Sequence, residues 1–177
     1  FERGGSWSLS AASYATDAHY LGTRSVKLTG SGAYASQTRT VLSGYTYYSF
    51  SAYVKTGGDN ADAAVSMKFL DASGNTLSTV KSNPIDYTTD WQRISISGKI
   101  PDGTAKIRVR CTTGGAGTAW FDCAQLEKGV CVNAYNLAEN GSFDDSGNSS
   151  VWSASGASGS DGLTWSDSDG FYKFTGG

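Results

Sequence analysis

Apolar residues in this chain recur at every second position, and no stretch shows the 3.6-residue spacing of an amphipathic helix. A period of two sends successive side chains to opposite faces of an extended strand. Lys106-Ile107-Arg108-Val109-Arg110-Cys111 is the cleanest case, and Ser25-Val26-Lys27-Leu28-Thr29 is a shorter one. The longest runs from Tyr45 to Lys55, with Tyr48, Phe50, Ala52 and Val54 on one face and Tyr47, Ser49, Ser51, Tyr53 and Lys55 on the other. Further strands are expected from about Ser36 to Leu42, over Ala63 to Leu70 with Val65, Met67 and Phe69 inward, and over Thr76 to Val80. Two more start near Trp91, with Ile94 and Ile96 inward, and at Ala119, running to Leu126.

Turn chemistry separates these runs: Gly57-Gly58-Asp59-Asn60, Asp71-Ala72-Ser73-Gly74-Asn75 and Pro101-Asp102-Gly103-Thr104, with Thr112 to Thr118 read as a Gly-rich hairpin. The 177 residues include 23 Gly and only 2 Pro, and 17% are charged, a mix that suits short strands and tight turns. About eight or nine such strands predict an all-β fold, a two-sheet antiparallel β-sandwich of jelly-roll type. The net charge of −2 gives no global field toward nucleic acid or an acidic membrane. No run of apolar residues is long enough to insert into a bilayer as a helix.

The tail echoes the start. Phe1-Glu2 matches Phe143-Asp144, and Lys27-Leu28-Thr29-Gly30 resembles Lys173-Phe174-Thr175-Gly176, an offset of about 142–146 residues that suits a module-length repeat. Three segments are therefore expected: a sandwich over residues 1–130, a linker over 131–135, and the opening of a second, incomplete copy over 136–177. The start at Phe1 reads as a processed product or a piece of a longer chain. Residues 136–143 would supply a strand, either in their own module or to a neighbouring copy by strand addition.

Four segments in order resemble one family. Asn136-Leu137-Ala138-Glu139-Asn140-Gly141-Ser142-Phe143-Asp144 is similar to the opening of carbohydrate-binding modules of the xylan- and cellulose-binding type, found beside bacterial glycoside hydrolases and in bacterial surface and phage tail proteins. Ser51-Ala52-Tyr53-Val54-Lys55-Thr56, Thr89-Asp90-Trp91-Gln92-Arg93 and Ala119-Trp120-Phe121-Asp122-Cys123-Ala124-Gln125-Leu126-Glu127 resemble three later strands of that family. The resemblance implies a jelly roll with a structural calcium ion, Ca2+, held by the side chains of Glu2 and Asp122 and the carbonyl oxygens of Leu21 and Arg24. Glu2 and Asp122 read equally as polar rim residues.

It also implies a polysaccharide or other glycan as partner, and an extracellular or cell-surface location in a bacterium or phage. Tyr and Trp offer flat faces to the apolar side of a sugar ring. The candidates are Trp7, near the start, and Tyr47 and Tyr53, outward on the long strand. Arg108 and Arg110 are outward on another strand, with Lys68 and Arg93 expected on the same surface. Such a face would hold an anionic glycan through charge-assisted hydrogen bonds. Polar residues and cross-strand tyrosines on an exposed sheet explain the same pattern without a ligand. Trp91 and Trp120 read as structural plugs at strand ends.

Catalysis is not expected. His19 has no nucleophile motif around it, and the acids sit mostly in turns. Cys111 and Cys123 are equidistant from Gly117, which would set them opposite one another if Thr112 to Thr118 were a hairpin; a disulfide and two free thiols both fit. Cys131 is left over, and one His with three Cys makes no zinc site. Two functions follow: a non-catalytic glycan-binding module, or a structural repeat that exchanges strands in an extracellular filament.

Overall fold

The computed structural model describes residue 1 and residues 6–130, apart from 43, 59 and 89, together with the backbone of two short strands near the end. The chain divides into two compact units, Phe1–Val132 and Asn133–Gly177. Among the described residues of the first, ten strands follow one another: β1 Ser8–Ser10, β2 Ala12–Ala15, β3 Ser25–Thr29, β4 Tyr34–Thr40, β5 Tyr47–Thr56, β6 Ala63–Leu70, β7 Thr76–Lys81, β8 Gln92–Lys99, β9 Lys106–Thr113 and β10 Thr118–Lys128. They form two antiparallel five-stranded sheets, one in the order β1-β4-β9-β6-β7 and the other β2-β3-β10-β5-β8. In the second unit β11 Gly162–Ser166 pairs antiparallel with β12 Phe171–Thr175. Residues 136–143 and Cys131 lie outside the described residues.

The core is the apolar set picked out by the alternation. Val26 and Leu28 of β3, Phe50 and Val54 of β5, Phe121 of β10, Val65, Met67 and Phe69 of β6, and Ile107 and Val109 of β9 are buried between the sheets. Burying such a side chain stabilises the fold by about 1.5–3 kcal/mol. Ile96 is buried as expected, while Ile94 is only half-buried. Close packing leaves Gly98 no room for a side chain, since a Cβ there would lie 2.8 Å from Val80 Cγ2 and 3.1 Å from Phe69 Cε2.

Turns behave as their residues dictate. Asp71 accepts bonds from Asn75 N at 2.8 Å and Asn75 Nδ2 at 2.9 Å, with Gly74 at a φ of 91° closing the β6–β7 hairpin. Thr112 to Thr118 is different. It is not a hairpin but an arch that carries the chain from the end of β9 in the first sheet to the start of β10 in the second. Gly114, Gly115 and Gly117 donate to the carbonyls of Asp62, Ala61 and Asn60, so the glycines pair with a neighbouring loop instead of with each other. That contact is tight: a Cβ on Gly115 would stand 2.2 Å from the Asn60 carbonyl oxygen. Cys111 and Cys123 therefore sit in different sheets and are not bonded to one another. Cys111 faces the core between Ala35 and Val65, and Cys123 occupies a β10 bulge with φ of 48°.

Candidate functional site

The two sheets present very different outer faces. That of β2-β3-β10-β5-β8 is partly covered by the chain itself. The loop between β2 and β3 lays Tyr20 on Tyr53, centroids 3.8 Å apart and planes 12° from parallel, with Trp91 6.1 Å from Tyr20. Beneath it Asp122, only 2% exposed, accepts hydrogen bonds from Tyr20 N at 2.9 Å, Leu21 N at 3.1 Å and its neighbour Cys123 N at 2.7 Å. Asp17 of the same loop pairs with Lys27 Nζ at 2.7 Å and accepts from Trp120 Nε1 at 2.9 Å; these two donors hold its carboxyl below the ordinary value of 3.8. Farther along, Arg93 donates to Ser51 and Gln125, and Ser49 bonds Ser97 and the Gly129 carbonyl. Ser49 and Ser51 are consequently buried, although the alternation points them outward. An open cleft of about 500 Å³ persists at one end, where Trp120, Tyr87, Lys55 and Asp17 meet.

The outer face of β1-β4-β9-β6-β7 carries no such cover among the described residues. Registers align its outward side chains in rows across the sheet. One row is Ser8, Ser36, Arg110, Ser66 and Lys81, and the next is Thr38, Arg108, Lys68 and Thr79. Arg110 rests its guanidinium on the Tyr34 ring, 4.1 Å from Cζ to the centroid, and Arg108 Nε donates to Thr38 Oγ1 at 3.3 Å. The residues that flank Arg110 across the sheet, Ser36 and Ser66, are small and buried.

The predicted surface thus splits in two. Arg108, Arg110 and Lys68 share one sheet, whereas Tyr47, Tyr53 and Arg93 belong to the other, because β5 and β8 pair with β10 and not with β9. Tyr53 has one ring face taken by Tyr20. Tyr47 is partly exposed opposite Lys99 at the far end of β5. Trp7, just before β1, packs with Leu9 against the core and lies 4.9 Å from the ring of Phe1.

The first 118 residues match the family model described as "Carbohydrate binding domain". The chain belongs to that family. A family 16 carbohydrate-binding module superposes with a TM-score of 0.52 at 22% identity, covering 67% of this chain and 86% of that one. The CBM22-1 xylan-binding domain of Paenibacillus barcinonensis Xyn10C gives 0.53 at 18% identity, covering 72% and 87%. These likenesses show the jelly-roll sandwich. Among curated proteins, the tRNA nuclease WapA of Bacillus subtilis strain 168 is 30% identical over 133 residues, 71% of this chain. The chain spans only about 6% of the length of that relative.

How far the carbohydrate-binding domain suits a calcium ion depends on Asp122. Its buried charge has no cationic side chain bonded to it among the described residues, and three amides occupy all but about one of the four lone-pair positions of a carboxylate. No cluster of three or more acid, His or Cys side chains forms among those residues. A cation here would need main-chain carbonyls for most of its oxygens. Leu21 lies in the Asp122-bound loop, Arg24 follows in the same loop, and Glu2 lies outside the described residues.

The sequence reading of the domain missed three contributors. Tyr34 carried a signal, since it alternates with Ala33 and Ala35, both buried. Tyr20 and Asp17 carried none, because nothing local says where a loop will land. Trp120, near the start of β10, faces outward across from Lys27 and Lys55, with Lys27 4.9 Å from its ring centre, and its indole N–H anchors Asp17 of the β2–β3 loop.

Proposed function

We propose that this carbohydrate-binding domain is a non-catalytic, extracellular glycan-binding module of a longer bacterial or phage surface protein, and that its ligand lies across the outer face of β1-β4-β9-β6-β7. The observation that carries this choice of face is the contrast in cover. Part of the opposite face is occupied by the domain's own loop, through the Tyr20–Tyr53 stack and the buried Asp122. The first face instead offers a row of polar side chains, with Arg108 and Arg110 each braced by a neighbour. Such preset donors meet sugar hydroxyls with little loss of side-chain freedom.

The calcium ion belongs to the same proposal. Bound at Asp122, it would neutralise a buried charge and stiffen the β2–β3 loop, away from the ligand. Supporting it are that charge and the nearness of Leu21. Added calcium should raise the melting temperature and EDTA should reverse the rise; an unchanged melt with tight chelation would remove calcium from the account.

A glycan array with the Arg108→Ala/Arg110→Ala double variant and with Tyr20→Ala tests the face. The expected outcome is binding lost in the first and kept in the second. The reverse result would move the site to the other sheet. Binding to no glycan, with large assemblies in light scattering, would favour the strand-exchanging structural role for residues 136–143.

A further inference from the structure

The five strands of the first sheet place Lys68, Lys81, Lys106, Arg108 and Arg110 on the outer face and contain no Asp or Glu. In a chain whose net charge is −2, this is a segregation of sign. Register makes it sharper. Lys68 stands directly across from Arg108, a like-charge pair that destabilises a sheet, and Thr38, on the other side of Arg108, brings no carboxylate. Asp62, Asp71 and Asp102 lie outside the strands, and Asp71 is engaged by Asn75. At Arg110, Nε is shielded from solvent and has no hydrogen-bond partner among the described residues. The uncompensated like charges have one physical resolution, an anionic ligand on the sheet.

Resting on the glycan-binding reading above, we propose that the ligand is an acidic polysaccharide whose carboxylates sit among Arg108, Arg110 and Lys68. Along β9 the two arginines are spaced by two residues, about 6.5–7 Å, and Lys68 lies about 5 Å away on the next strand. That mesh suits a chain with an acid on successive rings. Guanidinium groups are planar forks that match a carboxylate bidentately, and Arg110 is already held against the Tyr34 ring. A neutral glycan would leave the like charges uncompensated. Steering by the one-signed face would also speed encounter at low salt.

The test is affinity electrophoresis of the full chain in gels of sodium polygalacturonate and of the same polymer fully methyl-esterified, which keeps the backbone and removes the charge. Retardation by the acid and not by the ester is expected, weakening as salt shortens the screening length. Lys68→Met and Arg108→Met keep the apolar stems and should each weaken retention by about tenfold, the scale of one charge-assisted bond. Both positions are partly exposed, and unchanged melting curves would show that the variants fold. Equal retardation by acid and ester, or binding of neutral xylan alone, would overturn the acidic assignment and leave glycan binding standing. Equal retention by dextran sulfate or by single-stranded DNA would overturn the carboxylate specificity. Retention by no glycan would defeat both readings.

Discussion

Replacing Asp122 by Ala should detach the β2–β3 loop from the sheet it covers. The carboxylate accepts three main-chain N–H groups, from Tyr20, Leu21 and Cys123, and Asp122 itself is 2% exposed. Each donor left without a partner costs about 1–3 kcal/mol, and the low end applies to the partly buried loop amides. Three at about 1 kcal/mol give a loss of about 3 kcal/mol. With a urea m-value of about 2 kcal/mol/M, the midpoint should fall by about 1.5 M. Asp122→Asn should lose about half as much, because an amide oxygen still accepts from the two loop donors while its NH2 opposes the Cys123 N–H. Tryptophan fluorescence would follow the urea transition, and near-ultraviolet circular dichroism would report the Tyr20–Tyr53 stack. A loss below about 1 kcal/mol with the stack intact would refute the view that this carboxylate holds the loop.

Three further outcomes follow from the same structure. Asp17 has its pKa lowered by the Lys27 and Trp120 hydrogen bonds, so its contribution is present above the ordinary value of 3.8 and is lost as pH falls through the depressed folded value; Trp120 fluorescence should titrate there and Asp17→Asn should abolish that step. Gly98→Ala should destabilise by about 1–3 kcal/mol through overpacking against Val80 and Phe69, read as a lower urea midpoint at constant m; a neutral result would mean that the core yields there. Burial pushes the Cys111 thiol well above its ordinary range, so mass spectrometry after native alkylation at pH 8 should find Cys111 unmodified until denaturant is added.

Strand content was legible because it is local. Alternation over Ala63 to Leu70 and Lys106 to Cys111 marked both strands and their buried residues, and the family motifs around Tyr53, Trp91 and Trp120 pointed to the sandwich. The short β1 and β2 were missed, since three or four residues of Ser, Ala, Leu and Tyr carry too little pattern to stand out. Sheet membership was not legible either. The Gly-rich stretch after β9 has the composition of a hairpin, and only its pairing with Asn60, Ala61 and Asp62 turns it into an arch. From that one difference follow the separation of Cys111 from Cys123 and of Arg108 and Arg110 from Tyr47 and Tyr53.

What the sequence alone determined is which side chains share a strand face, because a period of two fixes that within any strand. It placed Phe50 with Val54 and Arg108 with Arg110. Tertiary structure decided which faces lie side by side and which stay open. A loop such as the one bearing Asp17, Tyr20 and Leu21 has no periodicity of its own, and its position is set by partners about a hundred residues away, at Trp120 and Asp122. Its docking covers part of one sheet, while among the described residues no loop covers the cationic one, a choice made by long-range hydrogen bonds that no local pattern encodes.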